Sequence, residues 1–334
     1  MSNSPAPHLE IRPEGLFAPA FDAWIDPPAP AARAILSHAH ADHAAAGHGE
    51  VWATSETLAI YRRRNPDWAG VARPLAFTQP VPGDGATLAL FPSGHILGAA
   101  QIRIEGARGS ALYTGDFRRG ASRTARPAAA PPADVLIMET TFGLPVFRFP
   151  PRESLEARLV AACRAAAEEG AVAVLLAYAL GKSQEAALVL ADAGIPTVLH
   201  GAVWKLLPEY EAAGFAFPLS RPYESGPARV GEALLVPPSC ARTPIVRNVK
   251  KRRIVYLSGW AVREASRADQ DADVLLPYSD HADFDELLEH VVEVAPRRVL
   301  THHGYAREFG RILSARGIDA LPLTEGGERT AEDP

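Results

Sequence analysis

Within seven residues the chain reads Ser37-His38-Ala39-His40-Ala41-Asp42-His43, so three imidazoles and a carboxylate fall on six successive positions just after the apolar run 34–36. Polar groups clustered this tightly are costly to bury unpaired, so the fold must turn sharply at a strand end and aim them at a common point. Neutral imidazole and carboxylate oxygen are donors that Zn²⁺ prefers and Mn²⁺ accepts, and a strand-to-helix turn would aim alternate residues at two neighbouring ions. Cysteine cannot take that part. Cys163 and Cys240 are the only two in 334 residues, too few for a Cys-based zinc site or a disulfide framework.

The rest of the chain supplies more strand ends of this kind. Apolar runs at 87–91, 101–104, 111–113 and 135–138 read as strands whose ends carry polar residues. From Pro150 the pattern changes to helix 154–169, strand 171–180, helix 183–193 and strand 197–199, an alternation that implies a parallel sheet. After 274, strands at 274–277 and 298–300 again run into polar signatures, Ser279-Asp280-His281 and Thr301-His302-His303-Gly304. Between them lies a helix with Asp283 at its N-cap and Phe284, Leu287, Leu288, Val291 and Val292 on one apolar stripe. The expected organisation is a first domain formed by 1–145 and 275–334, with a second domain, 146–274, inserted into it. The Pro-rich stretch 127–132 reads as a surface connection.

A hydrophobic fraction of 47% is ample for such cores, and a net charge of -5 excludes a chain coated in basic residues. Any polyanion surface must be local. Arg242, Arg247, Lys250, Lys251, Arg252 and Arg253 form a basic run inside 233–263, a span without Asp or Glu, and Arg118, Arg119, Arg123 and Arg126 form another. Trp260 beside the main run could stack on a base or belong to the core. Lys182 and Ser183 fall at the start of an expected helix, where free backbone N–H groups favour phosphate. The longest apolar run, 171–180, is about half of the roughly 20 residues a membrane span needs, and the N-terminal residues lack a signal peptide's basic and apolar regions. A soluble cytoplasmic protein without a membrane partner is expected.

Further along come His95 in Ser93-Gly94-His95, Asp116 in Thr114-Gly115-Asp116-Phe117 and His303 in His302-His303-Gly304, each beside a Gly at a strand end. With His38, His40, Asp42 and His43 in this order, the chain resembles the metallo-β-lactamase fold and its His-x-His-x-Asp-His signature. It looks specifically like the β-CASP nucleases. That resemblance rests also on Glu139 in Glu139-Thr140-Thr141 as motif A, His281 as motif B, His303 as motif C, and Ala179-Leu180-Gly181-Lys182-Ser183-Gln184-Glu185 in the insert. It implies an αββα sandwich with an inserted α/β domain. It further implies two divalent ions, Zn²⁺ first and Mn²⁺ as the alternative: one held by His38, His40 and His95, the other by Asp42, His43 and His303, with Asp116 between them. Asp26 matches an early aspartate that orients ligating imidazoles. His302 rivals His303, but in the family the ligand directly precedes Gly.

The same resemblance implies phosphodiester hydrolysis of nucleic acid. Asp42, Glu139 and His281 are the catalytic candidates, with His281 as the acid that protonates the departing 3′-oxygen and Glu139 holding it. Lys182, Ser183, Arg247, Lys250, Lys251, Arg252 and Arg253 are the candidate nucleic-acid contacts. Motif C is His, as in RNA-processing members, whereas DNA-directed members related to Artemis tend to have Val. The short insert and the Thr-His-His-Gly-Tyr-Ala ending look most like bacterial ligase-associated DNA exonucleases, which implies end processing linked to an ATP-dependent DNA ligase and a helicase. A β-CASP ribonuclease is the alternative, and a non-catalytic scaffold a third.

Overall fold

The computed structural model describes residues 6–323, so the ends of the expected ranges 1–145 and 275–334 lie outside the described residues. The chain forms two compact units, one comprising residues up to Gly120, Ala125–Pro145 and the chain from His281, the other Ala121–Thr124 and Val146–Asp280.

In the first unit, one six-stranded sheet runs in sequence order through Glu10–Arg12, Gly15–Ala18, Ala23–Ile25, Arg33–Ile35, Glu50–Ala53 and Val71–Pro74. A seven-stranded sheet has the order Ala320–Pro322, Arg298–His302, Val135–Glu139, Gly109–Tyr113, Ala100–Gly106, Ala86–Pro92 and Val81–Pro82. Alternation along each strand divides its side chains between two faces. Ile35 and Trp52 of the first sheet meet Leu88, Ile102, Tyr113, Ile137 and Leu300 of the second in one core. The outward residues Leu112, Leu136, Met138 and Val299 pack under helices Phe284–Val294 and Ala306–Ser314 through Phe284, Leu287, Val291, Phe309 and Leu313. On the far side, Ala34, Leu36, Val51 and Ala53 cover Leu58 and Tyr61 of helix Ser55–Arg64. The result is four layers, helix on sheet on sheet on helix.

Helix Phe284–Val294 starts where expected. Asp283 accepts from the Asp285 and Glu286 backbone N–H groups, and Glu286 returns a bond to the Asp283 N–H, a closed capping box. Its apolar stripe is narrower than expected. Val292 is 74% exposed, because it is rotated about 100° from Val291.

The second unit is a six-stranded, wholly parallel sheet ordered Ser220–Pro222, Thr197–Leu199, Ala233–Val236, Val172–Leu176, Arg252–Leu257 and Val274–Leu276. Helices Arg152–Glu168 and Lys182–Asp192 lie on either side of Val172–Leu176 in sequence. Two expectations change here. The boundary at 274 falls too early, since Val274–Leu276 pairs in parallel with Val255–Leu257 and so belongs to this sheet. The strand expected at 171–180 ends at Leu176, because the chain must turn through Gly181 (φ +90°) to enter the next helix. Cys163 and Cys240 are free thiols.

Candidate metal centre

In the first unit the polar signatures follow strands that point the same way. Val135–Glu139 is parallel to both Gly109–Tyr113 and Arg298–His302, with Glu139 level with His302. That register brings Asp116, Glu139 and His303 to one sheet edge. Ala23–Ile25 and Arg33–Ile35 are likewise parallel, so Asp26 and the His38–His43 segment leave their sheet together. No helix follows Asp42, contrary to expectation. The Ala44 N–H bonds back to the His40 carbonyl at 2.8 Å, a single turn that is not continued.

Backbone geometry is constrained beside two of the imidazoles. Gly94 has φ +79°, and a Cβ there would stand 2.0 Å from the Arg118 carbonyl oxygen. Gly304 has φ +55°, with its Cβ position 2.4 Å from Thr141 Cα. His303 itself is left-handed at φ +57°, and its carbonyl accepts from Thr140 Oγ1 at 2.6 Å.

Asp116 sits at the middle of the cluster. Its Oδ2 lies 3.4 Å from His38 Nε2 and 3.6 Å from His95 Nε2, while Oδ1 lies 3.4 Å from His43 Nε2. His40 Nδ1 is 3.2 Å from His38 Nε2 and 3.0 Å from His95 Nε2. His38, His40, His95 and Asp116 each offer a donor atom within 4.8 Å of the others. Such nitrogens and oxygens, converging without hydrogens enough to satisfy one another, suit a divalent cation. Asp42 and His303 stand looser, with Asp42 Oδ2 3.9 Å from His43 Nε2 and the His303 ring centroid 5.6 Å from that of His43. His302 turns away and stacks on Tyr113 at 5.4 Å.

Electrostatics follow from this crowding. Burial favours a neutral Asp116, but the charges of His43, His281 and His38 outweigh it and hold the carboxyl well below its usual range. Burial also opposes charge on His43. Asp116 and Asp26 overcome it and raise that imidazole well above its ordinary value. His95 shows the opposite balance, where burial dominates and pushes its pKa well down.

Around these donors lies a set of supports. Asp26 accepts from the Ser37 N–H at 2.7 Å, from Ser37 Oγ, from Tyr113 Oη at 3.0 Å and from His43 Nδ1 at 2.8 Å. The last bond fixes the ring so that His43 Nε2 faces Asp116. Glu139 accepts from the Phe117 N–H at 3.0 Å, from Thr141 Oγ1, and from His281 Nδ1 at 3.0 Å. Ser37, Tyr113 and Thr141 were not legible as participants. A serine, tyrosine or threonine beside a motif carries no spacing signal of its own.

The candidate nucleic-acid contacts separate. Lys182 and Ser183 are corrected: Lys182 is 3% exposed with Nζ 2.8 Å from Asp280 Oδ1, and Ser183 is fully buried with Oγ donating to the Tyr178 carbonyl at 2.7 Å. The whole first turn of their helix, Lys182 to Glu185, is buried, and the Gln184 side chain accepts from the Gly181 N–H at 2.8 Å. Arg253 pairs with Glu169 on the surface, Lys251 donates to the Glu169 carbonyl, and Arg252 donates to the Val249 carbonyl at 3.0 Å. Arg247 and Lys250 are exposed cations. Among the described residues no helix is long and apolar enough to cross a membrane.

No family model matches the chain. Over 318 residues it is 38% identical to a protein of Opitutus terrae named "Probable DNA ligase", covering 94% of this chain and 31% of that one. It is 22% identical over 383 residues to "Endoribonuclease YSH1" of Kluyveromyces lactis, covering 84% of this chain and 49% of that one. The chain therefore spans between 31% and 49% of the length of these relatives. A solved structure of a protein of unknown function from Enterococcus faecalis shares the fold, with TM-score 0.61 at 17% identity over 89% of this chain and 80% of that one. The ordered motifs, the layered α/β architecture and these relatives together place the chain in the β-CASP family of the metallo-β-lactamase fold.

Proposed function

We propose that this chain is a metal-dependent nuclease that hydrolyses phosphodiester bonds, acting as an exonuclease on DNA ends in repair together with a DNA ligase. The observation that carries the reading is the division of Asp116, with Oδ2 toward His38 and His95 and Oδ1 toward His43, next to a His281 held by Glu139. His38, His40 and His95 would hold one cation, Asp42, His43 and His303 a second, and Asp116 would reach both. Bound there, divalent ions supply charge neutralisation for the phosphodiester and an activated water.

The remaining chemistry belongs to side chains. With Nδ1 donating to Glu139, His281 keeps Nε2 for the mobile proton, and the Glu139 charge favours the protonated ring. Delivery of that proton to the departing 3′-oxygen leaves a 5′-phosphate on the other product. No 2′-hydroxyl is needed, so these residues serve DNA and RNA alike. The DNA reading is supported by 38% identity along 94% of the chain to a protein whose name is a DNA ligase. A second reading, RNA cleavage, is supported by the relative named as an endoribonuclease.

Matched DNA and RNA oligonucleotides, labelled at either end, should be incubated with Zn²⁺, Mn²⁺ or Mg²⁺ and followed in time. Progressive shortening of DNA to 5′-phosphorylated products is expected. Faster cleavage of RNA favours the second reading, and no cleavage of either refutes both.

A further inference from the structure

The C-terminal turn of helix Ser55–Arg64 carries three successive arginines, Arg62, Arg63 and Arg64. A helix C-terminus attracts cations, which accounts for Arg62 and Arg63, both exposed. Arg64 behaves differently. It is half-buried and turns onto the segment carrying the first imidazoles, where its Nη1 donates to the carbonyl of Ala39, the residue between His38 and His40. Three residues earlier, Tyr61 donates to the Ala45 carbonyl at 3.0 Å, so this helix grips the imidazole segment at both ends.

The guanidinium has one carbonyl acceptor for its five N–H donors. Among the described residues it makes no ion pair with a carboxylate, and burial lowers its pKa, with Asp42 as the compensating charge. In the reading above, Asp42 is committed to a cation. Arg64 then stands beside the metal centre with its positive charge uncompensated and several donors unused, a setting that calls for an anion with several acceptor oxygens.

We propose that Arg64 binds a backbone phosphate of the nucleic acid adjoining the scissile phosphodiester. This inference rests on the nuclease reading. It differs from a purely structural role in a specific way: an anchor for the Ala39 carbonyl needs only an N–H donor, whereas a phosphate contact needs the charge.

Arg64→Gln keeps an amide donor and removes the charge, and Arg64→Lys restores it. Initial rates on an oligonucleotide should be measured across a salt series, with metal content and melting temperature determined for each protein. For Arg64→Gln, KM is expected to rise about tenfold, with kcat within about twofold of wild type. The slope of log(kcat/KM) against log[salt] should become shallower by about 0.7–0.9, the loss of one phosphate contact. Arg64→Lys should recover the slope while keeping a raised KM, because an ammonium lacks the planar fork. Unchanged KM and slope in Arg64→Gln, with wild type active, overturn this inference alone. So does loss of bound metal at normal phosphate affinity, which makes Arg64 an anchor. If Arg64→Gln does not fold, wild-type KM in Arg64→Lys overturns it. A wild-type chain that cleaves no nucleic acid overturns the nuclease reading and this one with it.

Discussion

His281 Nδ1 lies 3.0 Å from Glu139 Oε1, while its Nε2 stands 3.9 Å from Asp116 Oδ2. The ring thus spans from a fixed carboxylate to the centre of the His/Asp cluster that could hold metal. His281→Ala should keep its metal and bind nucleic acid, yet lose about 10²–10⁴ in the chemical step. With a nitrophenyl phosphodiester, whose leaving group needs no proton, most of the deficit should vanish. Equal impairment on both substrates, or a lost metal ion, would make His281 a ligand or a structural residue.

Tyr113→Phe removes one hydroxyl from the Asp26 carboxylate and leaves the ring stacked on His302. Burial and the Asp26 charge push the phenol well above its ordinary pKa, so in the native protein it is a constant donor. Without it, Asp26 holds His43 less firmly, and metal affinity should fall about 10–100-fold. Competition with a chelator measures this directly. Excess metal should restore cleavage, and an unaltered affinity would remove Tyr113 from the support of the centre.

Lys182→Ala should act on stability rather than on substrate binding. Its side chain and that of Asp280 are both 4% exposed, so truncation removes the cation that lies 2.8 Å from a buried carboxylate. The expected loss is about 3–5 kcal/mol in denaturant unfolding, with the salt dependence of nucleic-acid binding unchanged. A shallower salt slope would return Lys182 to the substrate contacts.

His290 provides a pH signature. It is fully buried on helix Phe284–Val294, 4.5 Å from the Phe117 ring, and burial together with the Arg119 charge lowers its pKa to about 3. The unfolded chain binds this proton at about pH 6.5. Since the folded value is depressed, the contribution to stability is complete above about 6.5 and is lost as pH falls toward about 3, by up to about 1.4 kcal/mol per pH unit. In chelator, wild type should therefore lose more melting temperature between pH 7 and pH 5 than His290→Gln, each relative to its own pH 7 value. Parallel curves would contradict the buried neutral state.

Much of the architecture was legible because burial writes itself into alternation. The strands around 87–91, 101–104 and 135–138 are present with longer ends, as Ala86–Pro92, Ala100–Gly106 and Val135–Glu139. Asp283 was legible as a cap because capping is local chemistry. What depends on distant chain was not. Lys182 reads as a phosphate contact until Asp280, remote in sequence, is seen to neutralise it. Val274–Leu276 reads equally well as a strand of either domain, since only its partner, Arg252–Leu257, decides the sheet. Arg64 carries no signal of its own in the sequence, because an arginine at a helix end has an ordinary explanation until its acceptor is known.

The pairing of Val135–Glu139 with Arg298–His302 bears on biogenesis. The insert's strands all lie within 172–276, so that sheet can form while the ribosome is still adding residues beyond it. The metal centre cannot. Until Arg298–His302 emerges, Val135-Leu136-Ile137-Met138 has a neighbour on one side and a bare edge on the other, an apolar template for association with other chains. Chains halted or cleaved between the insert and His303 should thus form a well-folded insert tethered to a sticky half-sheet, which makes the last strands the protein's own guard against aggregation during synthesis.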